Sequence, residues 1–185
     1  AYEIPKRDWS SDVCSSDLIA GFILLGVLTT FLMIGRNGYN AANYSIMESE
    51  ARRALETFSE EARMASNIIW NSANSVTFTV AAASSYQVTY AYDSSAAGAT
   101  AQCFYRMLGT AASGNAKLIL VRNVTDFSFR RYKVINGVDY TANNDLETKQ
   151  IQITLRAVRT GITTVATTNA VLSARVVLRN KVVST

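Results

Sequence analysis

Residues 19–35 read IAGFILLGVLTTFLMIG, and this stretch decides which kind of fold the chain can form. From Leu18 to Gly35 there is no charged residue, and Thr29 and Thr30 are the only polar side chains. The stretch is close to the roughly 20 residues that a helix needs to cross a bilayer, and it lacks the polar stripe that a core helix of a soluble protein usually keeps. We therefore expect it to be buried in a membrane or in the core of a filament. The side chains that we expect to carry this burial are Phe22, Leu24, Leu25, Leu28, Phe31 and Leu32.

After Arg36 the helical pattern continues but becomes one-sided. Apolar residues at spacings of three and four are Tyr44, Met47, Ala51, Leu55, Phe58, Ala62, Ala65 and Ile69. Charged residues between them, expected to face water, are Glu48, Glu50, Arg52, Arg53, Glu56, Glu60, Glu61 and Arg63. We predict one helix from about Ile19 to about Trp70, roughly 75 to 80 Å long, apolar all round over 19–35 and amphipathic over 36–70.

Gly35 and Gly38 bracket the change between the two halves of this helix. Each glycine is unfavourable inside a helix by up to about 1 kcal/mol relative to alanine, so we expect a bend or local melting there. The alternative is an anchor helix that ends at Arg36, followed by a short linker and a separate amphipathic helix.

Residues 1–18, AYEIPKRDWSSDVCSSDL, differ in character from everything that follows. They have no apolar face to bury, and Asp8, Asp12 and Asp17 occupy the place where a secretory signal carries basic residues. The string DWSSDVCSSDL resembles a common short-read sequencing adapter read in frame. We interpret residues 1–18 as adapter-derived and exclude them from the prediction of the fold.

The composition of the remaining chain excludes several classes of chemistry. It holds 16 basic and 10 acidic residues (18 minus 2 and 14 minus 4), a balance of +6, with no histidine and the single cysteine Cys103. Nucleophilic systems and metal sites that depend on histidine are therefore excluded, and Cys103 is expected to be a small buried hydrophobe. The oxygen-rich segment from Asp139 to Glu147 lacks the spacing of an EF-hand loop and is expected to be a solvated turn. We predict no catalytic residue, cofactor or metal.

A β-rich head is predicted over residues 71–185. The predicted strands are 75–81, 86–93, 103–108, 117–134, 149–159 and 171–182, chosen for β-propensity and alternation. Alternating apolar and polar residues in KQIQITLRA indicate an antiparallel sheet with one wet face, and Asn136-Gly137 is the best hairpin signal. Because no second helix is visible, the amphipathic half of the long helix must cover the sheet. We predict an α+β fold with one long N-terminal helix packed across an antiparallel sheet.

Taken together, several phrases resemble the type IV pilin-like minor pilins and pseudopilins. They are the apolar stretch followed by ESEARRALETFSEEARMAS, the phrase LILVRNVTDFSFRRY, and the ending QITLRAV and SARVVLRNK. The likeness covers about Ile19 to Val182 and is greatest to the PilW group of minor pilins and the J pseudopilins of type II secretion. The family's Gly-Phe-Thr-Leu-x-Glu processing motif is absent, because Gly21-Phe22 would place Gly26 where glutamate is expected.

The resemblance implies a structural subunit made as a single-pass protein of the bacterial inner membrane, with its head periplasmic or extracellular. Its partners would be other pilins or pseudopilins, with a prepilin peptidase acting on the intact precursor. It would enter a type IV pilus or a type II secretion pseudopilus at low copy.

DNA binding provides a different function to consider. From Asn71 onward the chain has 12 basic and 5 acidic residues, a balance of +7, and phosphate contacts from such a surface would depend strongly on salt. The alternative to a filament subunit is thus a membrane-anchored periplasmic or surface module that binds DNA or another ligand; a solvated strand face is the simpler interpretation of the charges. The candidate basic face comprises Arg130, Arg131, Lys133, Arg156, Arg175, Arg179 and Lys181.

Overall fold

A single long helix is the first element of the chain. The structure, a computed structural model, describes residues 9–160 and 167–183. Helix α1 spans Trp9–Met64, 56 residues, or about 84 Å at 1.5 Å per residue. It passes Gly35 and Gly38 without a break, so the alternative of two helices joined by a linker is wrong. Propagating a helix through a glycine costs only about 1 kcal/mol, much less than starting a second helix from a new nucleus.

Both ends of α1 differ from the prediction. The helix begins at Trp9, so residues 9–18, which we expected to lie outside any folded element, continue it; extension of an existing helix requires no new nucleation. It ends at Met64, because residues 65–70 form a strand. The run Ile68, Ile69 and Trp70 is β-branched and aromatic, which favours a strand, and the spacing of buried residues alone did not separate the two structures.

Nine strands follow, in two antiparallel sheets. Sheet A has the order β1-β2-β3-β4-β5 and sheet B the order β7-β6-β8-β9. The bounds are β1 Ala65–Ser72, β2 Ser75–Val80, β3 Tyr86–Asp93, β4 Cys103–Leu108, β5 Lys117–Val121, β6 Val124–Ile135, β7 Val138–Thr141, β8 Gln150–Thr160 and β9 Thr167–Val177.

The α+β class is confirmed, with the helix packed against β-sheet. The predicted single strand over 117–134 is instead two strands in different sheets. They are separated at Asn123, whose φ of 54° lies in the left-handed region and redirects the chain. The hairpin at Asn136-Gly137 is confirmed: both residues have positive φ, 51° and 79°, as a two-residue turn of this hand requires. The prediction missed the short strand β7 on its far side.

The core lies where α1 meets the two sheets. Phe58 of the helix is fully buried. Its ring centroid lies 5.6 and 5.1 Å from those of Phe78 and Tyr90 in sheet A, and 5.7 Å from that of Phe129 in sheet B. Aromatic pairs at these separations contribute about 0.5–1.5 kcal/mol each beyond their burial. One side chain of α1 therefore packs against both sheets.

Candidate functional site

The first candidate site is residues 18–35, here called the bare segment. Its large apolar side chains are all exposed, from 51% at Leu32 to 74% at Phe22 and Phe31, and the six predicted membrane residues are among them. Burying one such side chain is worth about 1.5–3 kcal/mol, so twelve of them left in water cost on the order of 20 kcal/mol. The segment therefore needs an apolar surrounding that the rest of the described chain does not supply. The twelve are Leu18, Ile19, Phe22, Ile23, Leu24, Leu25, Val27, Leu28, Phe31, Leu32, Met33 and Ile34.

The polar side chains of the bare segment are satisfied within the helix. The Thr29 hydroxyl donates to the carbonyl oxygen of Leu25 at 2.6 Å, and the Thr30 hydroxyl donates to that of Gly26 at 2.8 Å. A hydroxyl without a partner in hydrocarbon costs several kcal/mol, whereas one bonded to the preceding turn avoids most of that cost. The two threonines therefore do not prevent transfer of the segment into lipid.

Part of α1 meets the length and composition requirements of a membrane span. The qualifying helix lies near the N-terminus, and its most apolar window is not buried against the rest of the chain. Among the described residues it is the one helix that meets these requirements. The chain is compatible with single-pass anchoring.

Between the bare segment and the head, α1 crosses a mostly exposed region, residues 36–46, here called the stalk. Met47 is the first of the buried helical residues, followed on the same face by Ala51, Ala54, Phe58 and Ala62. Their spacings of three and four place them along one side of the helix. The helix that carries the bare segment, α1, thus also contributes a main part of the core of the head.

A buried polar network connects α1 to sheet A. Glu61 is 7% exposed and accepts hydrogen bonds from both Nε and Nη2 of Arg106, the latter at 2.5 Å. The Tyr90 hydroxyl donates to Glu61 at 2.5 Å and that of Tyr86 at 3.1 Å. Burial, followed by the hydrogen bond to Glu61, raises the pKa of Tyr90 far above its usual value. The hydrogen bond to Glu61 likewise raises the pKa of Arg106.

The expectation that Glu61 faces water is therefore wrong, and Arg106 was not singled out as a structural residue. The sequence contained a usable signal, because Glu61 lies three residues after Phe58 and seven after Ala54, on the buried side of the helix. A lone arginine within CFYRML, an otherwise uncharged strand, is the matching signal on the partner element.

The seven residues of the predicted basic face do not lie together. Arg130 pairs with Gln152, and Gln152 pairs with Arg175, so these three residues lie in one row on the outer face of sheet B. Arg131 pairs with the fully buried Ile151 and lies on the opposite, core-side face. Successive side chains of a strand point to opposite faces, so adjacent arginines in β6 cannot build one surface.

Acidic partners offset much of the predicted basic charge. The pairs are Arg131 with Asp145 at 2.6 Å, Lys133 with Glu147 at 2.8 Å, Arg156 with Asp126 at 3.5 Å and Arg175 with Asp139 at 2.6 Å. The Arg175 guanidinium also lies 4.0 Å from the centroid of the Tyr132 ring. A cation already paired with a carboxylate gains less from a phosphate. DNA binding by this face remains a prediction that these contacts weaken.

The two C-terminal members of the predicted face lie outside the sheet, because β9 ends at Val177 rather than at Val182. Lys181 is 3% exposed, and its ammonium group donates to the carbonyl oxygen of Leu146 at 3.0 Å. Desolvation by burial lowers its pKa. The expectation that Lys181 is part of an exposed basic face is therefore wrong, whereas Arg179 is exposed.

The oxygen-rich segment near residue 145 is held by protein contacts. Glu147 accepts hydrogen bonds from the amides of Asn143 and Asn144, in addition to its ion pair with Lys133. These contacts lower the pKa of Glu147, the hydrogen bond from Lys133 being the largest cause. Within the part of the chain that the structure describes, no three potential ligands among aspartate, glutamate and cysteine form a metal-sized cluster. Cys103 is buried, as expected.

Comparisons with protein-family models and with curated proteins find no match to this chain.

Proposed function

We propose that the protein is a structural pilin-like subunit, a minor pilin or a pseudopilin. In this proposal the bare segment anchors it in the bacterial inner membrane, with the head in the periplasm or, after assembly, outside the cell. The same helix then enters a type IV pilus or a type II secretion pseudopilus, where its neighbours are other pilins or pseudopilins.

One observation carries the proposal: the bare segment and the core of the head belong to one unbroken helix. An anchor that only tethers a domain does not need to continue as the central element of that domain. A subunit of a helical assembly benefits from this continuity, because the position of the anchor then fixes the position of the head on the filament surface.

The side chains of the bare segment suit both locations that the proposal requires, the bilayer and the core of a filament. Its exposed aliphatic and aromatic side chains are as compatible with lipid tails as with the side chains of neighbouring helices, so moving from one to the other changes little apolar burial. Because Thr29 and Thr30 are bonded within the helix, neither environment has to supply a polar partner for them.

The first test is membrane insertion of the full chain. We expect the protein in the membrane fraction and resistant to extraction with alkaline carbonate. Leu28→Asp places a carboxylate near the middle of the bare segment, at a cost of about 2.5–3.5 kcal/mol for a charge at the centre of a spanning helix, and should lower the fraction of the protein that resists carbonate extraction. Leu28→Val is the matched control and should behave like the parent.

The second test is assembly in a bacterium that makes type IV pili or a type II secretion system. Because the processing motif of the family is absent from this chain, residues 1–18 are first replaced by the leader and the first mature residues, Gly-Phe-Thr-Leu-x-Glu, of a pilin of that bacterium. Filaments sheared from the surface should then contain the subunit, and a photo-crosslinking residue in place of Phe31 should capture another filament subunit. The same substitution at Glu60, on the exposed side of the helix within the head, is the control for crosslinking that does not depend on the bare segment. Membrane insertion without filament incorporation or subunit capture would contradict the proposal and favour an anchored ligand-binding module.

A further inference from the structure

The lower part of the stalk has the composition and position of a membrane-interface anchor. Arg36 is the first charged residue after the bare segment, and Tyr39 follows it by three residues, so both lie on neighbouring positions of the helix surface. Tyr39 is 69% exposed, and it lies about two helical turns before Met47, the first buried residue of the helix. An arginine and a tyrosine at the end of an apolar helix match the polar and amphipathic groups that prefer the headgroup region.

The helical rise places these residues relative to a bilayer. The midpoint of the bare segment lies between Gly26 and Val27, so for a helix along the membrane normal Arg36 is about 14 Å and Tyr39 about 19 Å from the bilayer centre at 1.5 Å per residue. Half of the hydrocarbon core is about 15 Å thick, and the headgroups extend to about 20–22 Å. Arg36 thus reaches the edge of the hydrocarbon, and Tyr39 falls within the headgroup layer.

The rest of the stalk lies beyond the lipid. Tyr44 is about 26 Å and Met47 about 31 Å from the same midpoint, so the core of the head begins outside the headgroup layer. No residue of the packed head has to enter the membrane for the bare segment to be fully immersed. The geometry separates an interfacial tyrosine, Tyr39, from a solvent tyrosine, Tyr44, on the same exposed stalk.

We propose that Arg36 and Tyr39 form a lipid-headgroup binding collar that sets the depth of the helix in the bilayer. The Arg36 guanidinium reaches outward to lipid phosphates while its methylene stem stays along the apolar boundary. The Tyr39 ring lies among the headgroups with its hydroxyl toward water. This inference rests on the membrane anchoring in the proposed function and adds a specific partner surface to it.

Depth-dependent fluorescence quenching tests the collar. The full chain, with Trp9→Phe so that Trp70 is the one native tryptophan, is reconstituted in vesicles of phosphatidylethanolamine and phosphatidylglycerol that carry a nitroxide on the headgroup or deep on an acyl chain. Leu28→Trp should be quenched most by the deep nitroxide, and Tyr39→Trp most by the headgroup nitroxide. Tyr44→Trp, the matched control, should lose little emission with either.

Two outcomes would count against different claims. Deep quenching of Leu28→Trp together with equal, weak quenching at positions 39 and 44 would overturn the collar and leave the anchor standing. Absence of quenching of Leu28→Trp would overturn the anchor itself, and the collar with it. A second experiment uses Leu28→Trp as the depth reporter in all chains. Adding Arg36→Gln together with Tyr39→Ala should change the ratio of deep to headgroup quenching, whereas adding Tyr44→Ala should not. An unchanged ratio with Arg36→Gln and Tyr39→Ala would also overturn the collar.

Discussion

At the scale of single residues, the packing of α1 on sheet A depends on the ion pair of Glu61 with Arg106. We predict that Glu61→Gln lowers the free energy of unfolding by about 3 kcal/mol, because it leaves a largely buried guanidinium without its counter-charge. A urea titration of the full chain in detergent micelles, followed by near-ultraviolet circular dichroism of the head, measures this change.

The neighbouring residue provides the control for this prediction. Glu60 is exposed, so Glu60→Gln should change the free energy of unfolding by no more than about 0.5 kcal/mol. The paired replacement Glu61→Leu with Arg106→Met should destabilise less than Glu61→Gln alone, because it removes both charges from the interior. Equal effects of Glu60→Gln and Glu61→Gln would show that the pair contributes no special stability.

The tyrosines of this network give a prediction for alkaline pH. Desolvation raises the pKa of Tyr90, Tyr86 and Tyr92 above the ordinary value, with Glu61 contributing to the first two. Above about pH 10 the unfolded chain ionises these hydroxyls while the folded chain keeps them protonated, so the free energy of unfolding should fall as pH rises. Below about pH 10 these hydroxyls should not make the free energy of unfolding depend on pH.

The comparison of the parent with Tyr90→Phe isolates the contribution of Tyr90. Lys181, whose pKa is lowered, acts with the opposite sign, because its cost in the folded state disappears as it loses its proton. That contribution is common to both chains and cancels in the difference. The decline in stability between about pH 10 and pH 12 should be shallower in Tyr90→Phe, and identical slopes would contradict the assignment.

At the scale of elements, the exposed stalk marks where the chain can be shortened. A chain that begins at Gly38 retains every buried residue of α1 from Met47 onward and loses the bare segment. We expect it to be soluble without detergent and to show both helix and strand in far-ultraviolet circular dichroism. A chain that begins at Glu60 lacks Met47, Ala51, Ala54 and Phe58, and should fail to fold because both sheets lose their shared apolar cover.

The elements also show what the sequence allowed us to predict and where it was insufficient. The long helix, the strands beginning at Ser75 and Tyr86 and the turn at Asn136 follow from local signals that agree with the tertiary structure. The helix end was wrong because residues 65–70 carry a buried spacing that suits either structure, and only pairing of β1 with β2 decides between them. The division into two sheets depends on long-range pairing that alternation within one strand does not encode.

The residues of the candidate sites, likewise, could be predicted from the sequence only in part. The bare segment is visible in the sequence because it depends on composition alone. The seven basic residues were grouped by the polar positions that they were expected to occupy in the predicted strands, whereas their faces and their acidic partners depend on register. Glu61 and Arg106 lie 45 positions apart, so their pairing requires the packing of α1 on sheet A.

At the scale of the whole molecule, four of the seven residues of the predicted basic face, Arg131, Lys133, Arg156 and Arg175, are held in ion pairs, and the seven do not share one surface. We predict that Arg175→Ala with Arg179→Ala changes the affinity of the full chain for double-stranded DNA by less than about threefold at physiological salt, where non-specific binding is weak. A fluorescence anisotropy titration at two salt concentrations measures it. A large loss of salt-sensitive affinity would restore the basic-face hypothesis; Glu60→Gln provides a substitution control away from that face.

The placement of Phe58 on α1, between the two sheets, has a mechanical consequence. A pull on the lipid end of α1 is applied directly to the interior of the head, along the axis of the helix, so aromatic contacts and the Glu61–Arg106 pair share the load in shear. Traction on such a subunit therefore loads the anchor in the bilayer and the interior of the head at the same time.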